Sequence, residues 1–193
     1  MDIPEAVLSV LIGVGLAAAC GFRIFVPLLV ASIASMAGHL EFSEGFQWIG
    51  TWPALVAFGL ASVLEIAAYY IPWLDNLLDS IATPAAIIAG ILVVAACITD
   101  MSPFLRWTLA VVAGGGAAGG VQALTVTTRG ASTATTGGAA NPAVSTVEAG
   151  SAAAVSTLSV TVPILAMAVA LTAAAFLVAR FLRRRAAAQA PAS

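Results

Sequence analysis

The chain is built from long apolar runs separated by short polar stretches. Six runs are long enough for membrane helices, and the pattern predicts spans at about 5–37, 53–71, 79–99, 104–128, 142–160 and 162–182. Between the last two runs the only strong turn signal is Pro163, so a re-entrant hairpin or one broken span are alternatives for that pair. The hydropathy pattern therefore predicts an all-α polytopic membrane helix bundle of about six spans.

The first apolar run is too long for one straight span. A helix over residues 6–38 would measure about 50 Å, against roughly 30 Å of bilayer hydrocarbon. Arg23 is the single charge in this stretch, and Pro27 lacks the N–H that would bond the carbonyl of residue 23. We therefore predict a kinked first helix, broken near Gly21 to Pro27, with a charge beside irregular backbone. Inside a membrane this combination usually lines a cavity or a pathway.

Composition agrees with a single membrane domain over residues 1–193 that has the lipid bilayer as its partner. The sequence is 61% hydrophobic and 8% charged, with a mean hydropathy of +1.06, which leaves too little polar surface for a soluble domain. Basic residues concentrate at the end of the chain, in Arg180, Arg183, Arg184 and Arg185, whereas the loop 39–52 carries two glutamates. The positive-inside rule then predicts a cytoplasmic tail at 186–193 and an outward-facing loop 39–52. No basic stripe suits nucleic acid.

Two halves of the chain share an order of motifs. The segment 15–23 (GLAAACGFR) resembles 114–122 (GGGAAGGVQ), and 62–65 (SVLE) matches 145–148 (STVE). Because three spans per repeat is an odd number, repeats at 1–99 and 100–185 would have opposite topology, a 3+3 inverted repeat of the kind common in transporters. The alternative is that apolar helices rich in small residues resemble each other by composition alone.

Three ionisable residues lie deepest in the predicted spans, namely Arg23, Glu65 and Glu148. Each costs roughly 2.5–3.5 kcal/mol at the centre of a span, so we expect Arg23 to pair with one or both glutamates. An ion pair that only fixes helix register is the alternative. The full candidate set for binding a solute is Arg23, Glu65, Glu148, Arg129, Gln122, Ser62, Ser145 and Asn141. No histidine or cysteine lies beside a candidate nucleophile and no metal-ligand spacing occurs, so we predict no catalytic residue, enzyme activity, metal or cofactor.

Three local patterns add expectations. Asn141 followed by proline is a good helix start with Asn141 as the cap, which would place Glu148 nearly two turns inside the helix. The hydroxyl-rich stretch 125–136 is interpreted as a cytoplasmic loop or as a segment that folds back into the membrane. Glycines at 115, 116, 119 and 120 form G-x-x-x-G faces suited to close helix contact and to a homo-oligomer. Tyr69 is expected at the membrane interface, near a span end.

Several of these segments together resemble one family. They are Gly21-Phe22-Arg23, the stretch 65–79 with IPWLD at 71–75, and above all the run from Thr128-Arg129 through Asn141-Pro142 to Glu148. This pattern is similar to a family of small bacterial membrane proteins defined by a domain of unknown function, DUF4126. The resemblance covers most of the chain and implies a bacterial inner-membrane location, but no activity.

Two functions are compatible with these residues. The first is a small transporter or channel for a small ion or polar solute, with a central Arg/Glu site. The second is a non-transporting scaffold or assembly factor whose buried charges only lock helix packing. Water access to the charges should discriminate between the two functions. A water-filled cavity that reaches Glu65 and Glu148 would favour transport, whereas a dry, fully paired cluster would favour the scaffold.

Overall fold

The computed structural model describes residues 3–188. Side chains are described throughout that range except at 3–4, 72–77, 79–80, 173–174, 177–178 and 181–188. Every regular element in it is helical, as the sequence predicts. The α-helices are α1 Ile3–Cys20, α2 Phe25–Met36, α3 Trp52–Ala68, α4 Pro72–Cys97, α5 Pro103–Leu109, α6 Gly116–Thr136, α7 Asn141–Thr161 and α8 Pro163–Ala188. A 3₁₀ turn occupies Gln47–Gly50, and a π-helical segment at Ala110–Gly115 joins α5 to α6 without a break.

The predicted break in the first apolar run is present. The helix α1 ends at Cys20, and the N–H of Gly21 and the N–H of Arg23 still bond the carbonyls of Ala18 and Ala19 at 3.1 and 3.2 Å. Pro27 lies in the first turn of α2, where a missing N–H leaves no helical bond unmade. The turn between the two helices therefore lies just before Pro27 and holds Arg23.

The expectation for the hydroxyl-rich stretch 125–136 was wrong in both forms. This stretch is the second half of α6, which ends at Gly137 in the left-handed conformation with φ 62°. Thr127, Thr128 and Thr136 donate to carbonyls four residues back at 2.7–2.8 Å. These three hydroxyls are satisfied within the helix, so they need no loop to pair them.

The expected helix start at Asn141 also differs. Ala140 holds the cap position without a side-chain bond, Asn141 is the first helical residue, and Pro142 follows it. The Asn141 amide instead donates to the Thr133 hydroxyl of α6 at 3.2 Å. Glu148 still lies two turns inside α7. For the last pair of runs, the structure has two separate helices, with Val162 in non-helical backbone (φ −140°, ψ 67°) between them.

Helix α1 lies at the centre of the fold. It packs against α4, α6, α7 and α8, and its buried face carries Leu16, Ala17 and Cys20. Close approach to neighbours depends on glycine, because a Cβ at Gly21 would lie 2.6 Å from the Ala118 carbonyl oxygen of α6. Glycine likewise brings α4 against the π-helical segment, where a Cβ at Gly90 would lie 2.8 Å from the Gly114 carbonyl oxygen.

The outer surface is apolar. Within the described part of the chain one helix, Pro103–Thr136, is long and apolar enough to cross a membrane by length and composition, with a mean hydropathy of 1.5. A helical structure with such a helix suggests membrane association. Five other apolar helices are shorter, at Glu5–Cys20, Phe25–Met36, Trp52–Ala68, Ile81–Cys97 and Pro163–Thr172. Large apolar side chains project outward from several of these helices, among them Leu60, Leu64, Ile88, Phe104 and Leu171.

We predict that Gly90→Ala destabilises the protein by about 1–3 kcal/mol, because the added methyl group overpacks the α4–π-segment contact. Gly116→Ala is the matched control, since no atom outside its own helix lies within 4 Å of a Cβ there. The measurement is the free energy of unfolding in detergent. Equal effects of the two substitutions would contradict the assigned packing.

Candidate functional site

Three parts of the chain meet at the carboxylate of Glu148. Arg129 of α6 donates from Nε to Oε1 at 3.0 Å and to Oε2 at 3.1 Å, and its Nη2 also bonds Oε2. Arg23, from the turn between α1 and α2, places Nη2 3.2 Å from the same Oε2. The expected pairing of Arg23 with a glutamate is therefore found at Glu148. The three side chains are 1%, 4% and 6% exposed for Arg23, Arg129 and Glu148, so the charges interact with little screening by water.

Ser145 provides a second contact for Arg23. The guanidinium Nη2 donates to the Ser145 hydroxyl at 2.6 Å and to its carbonyl at 3.2 Å. Residues three apart share one face of a helix, so Ser145 and Glu148 of α7 reach Arg23 together. The S-x-x-E spacing here serves this shared face and not a helix cap.

Tyr69 is the residue of the cluster that sequence reasoning missed. Its ring centroid lies 3.9 Å from the Cζ of Arg23 and 4.1 Å from the Cζ of Arg129. The ring is buried at the end of α3, which corrects the expectation of an interfacial tyrosine. Cation–π contacts away from water reach about 2 kcal/mol, so the ring offsets part of the cost of burying two guanidiniums. The available signal was spacing, because Tyr69 follows Glu65 by four residues on one helix face.

Glu65 binds backbone and so differs from Glu148. Its Oε1 accepts the N–H of Ile24 at 2.8 Å and its Oε2 accepts the N–H of Phe25 at 3.1 Å. These N–H groups open α2, whose N-cap residue Ile24 makes no side-chain cap bond. A carboxylate from α3 thus accepts the hydrogen bonds of N–H groups at the start of α2. Its negative charge also interacts favourably with the positive end of the α2 helix dipole.

The other candidate residues lie around this centre. Ser62 is buried one turn before Glu65, and its Oγ has no hydrogen-bond partner. Gln122 is buried on α6, about two turns before Arg129. Asn141 lies two turns before Glu148, at the start of α7 beside Thr133. The structure thus brings together four of the candidate residues, Arg23, Arg129, Ser145 and Glu148. The Glu65 carboxylate binds the backbone N–H of Ile24, the residue after Arg23.

The cluster is chemically suited to charge recognition. Within the described side chains, no group of three histidine, cysteine, aspartate or glutamate residues is placed to hold a metal ion. Cys20 and Cys97 are buried free thiols. The groups that converge are guanidinium and backbone N–H donors, hydroxyls and two carboxylates.

The fold and the cluster define an all-α protein with ion-paired arginines buried beside a break in its first helical segment. A family model described as a domain of unknown function (DUF4126) matches residues 10–184, and the chain belongs to this family. The resemblance seen in the sequence is thereby confirmed. No curated protein and no solved structure matches the chain.

We predict that Glu148→Gln lowers the free energy of unfolding by roughly 3–5 kcal/mol, because it removes a carboxylate shared by two buried arginines. Adding Arg23→Gln should recover part of this loss. The exposed Glu44→Gln, which removes the same charge outside the cluster, should have little effect. The free energy of unfolding in detergent is measured for five proteins, namely wild type, Arg23→Gln, Glu148→Gln, their double variant and Glu44→Gln. Strict additivity of Arg23→Gln and Glu148→Gln would show that the two residues do not interact.

Proposed function

We propose that the protein is a multi-pass helical protein of the bacterial inner membrane, with α1 and α2 as the two halves of one broken span. Large apolar side chains point outward from α3, α4, α5 and α8, and exposed apolar surface on this scale marks contact with a membrane or a partner. The buried charges at the helix break fit the same interpretation, since membrane proteins keep such groups away from lipid. The chain then has six membrane segments, formed by α1 with α2, α3, α4, α5 with α6, α7 and α8. The hydroxyl-rich half of α6 extends beyond the fourth segment.

In this arrangement the C-terminus is cytoplasmic and the loop 39–52 faces outward. Arg180 near the end of α8 supports this orientation, and the side chains of Arg183–Arg185 lie outside the described side chains, as do residues 189–193 of the predicted tail. The inner-membrane location follows from the family resemblance.

The orientation is testable with single cysteines at Gln47, which is exposed, and at Ala188, in a Cys20→Ala, Cys97→Ala background. An impermeant thiol reagent should label the Gln47→Cys protein in intact cells, and the Ala188→Cys protein only after lysis. Labelling of the Ala188→Cys protein alone in intact cells would overturn the proposed topology.

The inverted-repeat hypothesis gains one supporting observation. The glutamates of both S-x-x-E motifs reach residues 23–25, because Glu148, with Ser145, contacts the Arg23 guanidinium while Glu65 binds the N–H groups of Ile24 and Phe25. One carboxylate from each half thus serves the same helix break, as a site between repeats requires. The local backbones of the other matched segments differ, since Arg23 lies in a turn and Gln122 lies within α6.

The function we infer is movement of a small ion or polar solute through this centre. The observation that carries it is the buried Arg23–Glu148–Arg129 cluster at the break between α1 and α2. Discontinuous helices in transporters hold substrate and coupling ions at such points, where free backbone groups and charged side chains meet. The present arrangement, with the charges paired and away from water, would be a closed state of the pathway.

The second candidate is a scaffold or assembly factor that moves nothing. One observation favours it: every charge of the cluster already has a partner on another part of the chain. Buried ion pairs of this kind specify helix register in some proteins without any further role.

Flux through liposomes separates the two candidates. We expect reconstituted wild type to move protons or a small monovalent ion, or else a small zwitterion. The folded Glu65→Gln, Glu148→Gln double variant should move the same solute at a rate at least about tenfold lower. The Glu41→Gln, Glu44→Gln variant is the matched control, because it removes two exposed carboxylates and should behave as wild type. Equal flux in all three proteins would remove the cluster from the mechanism. No flux in any of them would favour the scaffold.

A further inference from the structure

We infer that the helix break binds a small monovalent anion between Arg23, Ser62 and the N-terminus of α2, and that the Glu65 carboxylate occupies this position when the anion is absent. The inference rests on the proposed function and names the class of its solute. It depends on two buried polar atoms that the ion-paired cluster leaves unused, together with the donors that Glu65 now holds.

The first unused atom is the Nε of Arg23. The residue is 2% exposed, and its Nη2 bonds Ser145 and Glu148, yet Nε has no hydrogen-bond partner. Only the Cβ, Cγ and Cδ methylenes separate Nε from the Arg23 backbone, so this donor lies beside the turn that opens α2. A buried charged donor without a protein acceptor is costly, and an acceptor that enters from outside the chain, an anion or a water, removes that cost.

The second unused atom is the Oγ of Ser62. The residue is 4% exposed and Oγ has no partner. Ser62 lies three residues before Glu65 on α3, so both side chains project from one face toward the start of α2. Glu65 marks where that face meets the backbone, through its bonds to the N–H groups of Ile24 and Phe25.

The chemistry of these groups selects an anion. A guanidinium N–H and two backbone N–H groups are donors with no acceptor capacity, and a serine hydroxyl can turn its proton toward a ligand. The N-terminus of the 12-residue α2 adds the positive end of a helix dipole. A carboxylate already binds there, which shows that the position accepts one negative charge. A cation would meet the same donors unfavourably.

Glu65 is therefore an internal competitor for the solute. An anion that enters must displace its carboxylate from the two N–H groups, and an anion that leaves allows the carboxylate to return. This exchange would let the protein release a solute without leaving the start of α2 uncapped.

The test is thermal unfolding of the purified protein in detergent at constant ionic strength, with sodium gluconate replaced stepwise by sodium nitrate or sodium formate. Gluconate serves as the larger reference anion. Wild type should be stabilised in a saturable manner by the small anions, because they bind the folded state only. Glu65→Gln should reach half of its maximal stabilisation at about tenfold lower anion concentration, since the competing charge is gone. Arg23→Lys, which keeps the charge but loses Nε, should need a higher concentration.

Two further proteins keep the test decisive. The Glu44→Gln variant, changed at an exposed residue, should be stabilised by the anions to the same extent as wild type. Where Glu65→Gln or Arg23→Lys does not fold, Ser62→Ala replaces it, because this change removes only a hydroxyl that has no partner and should weaken the response to the anion. An anion effect of equal size in every variant would be a general salt effect and would overturn the inference. Absence of a saturable effect in wild type would overturn it as well.

The two proposals fail in different ways. Cation or zwitterion flux without anion-dependent stabilisation would leave transport in place and refute the anion site. Saturable anion binding without flux of any tested solute would support the anion site and refute transport. Failure of both measurements would refute both.

Discussion

The rest of the structure depends on the ion pairs made by the carboxylate of Glu148. It pairs with two guanidiniums from distant parts of the chain, Arg23 in the turn after α1 and Arg129 on α6. Burying three charges is costly, and their mutual attraction offsets the cost only while all three remain in place. The position of α7 against α6, and of both against the α1–α2 turn, is therefore tied to a single side chain.

Much of this arrangement could be predicted from the sequence, because it follows from local chemistry. Apolar runs of membrane length predict helices, and an over-long run with Arg23 at its centre predicts a break. The cost of a buried charge predicts a partner for Arg23. What the sequence left open was which glutamate would be that partner. The answer depends on how α3 and α7 approach the turn, and no local pattern encodes that distance.

Two features differ from what the sequence predicts, Tyr69 and the second half of α6. Tyr69 was assigned to an interface because aromatic residues at span ends usually lie there, but a ring between two guanidiniums is more stable buried. The threonines of α6 were assigned to a hydroxyl-rich stretch, interpreted as a cytoplasmic loop or as a segment that folds back into the membrane. In the structure the same hydroxyls bond the carbonyl four residues back and remain part of the helix. In both cases a specific partner, two guanidiniums for the ring and the helix's own carbonyls for the hydroxyls, decides the outcome.

The π-helical segment at Ala110–Gly115 has a consequence for how α5 and α6 are coupled. A π turn holds one residue more than an α turn, so it offsets the faces of the two helices by about 100° relative to a regular helix. Helix α6 is fixed by Arg129 and by the glycine contacts with α4, whereas α5 has no buried residue. The π turn therefore sets the direction in which the seven-residue α5 presents its side chains, because a regular helix without the extra residue would turn α5 by about 100° relative to α6 and Arg129.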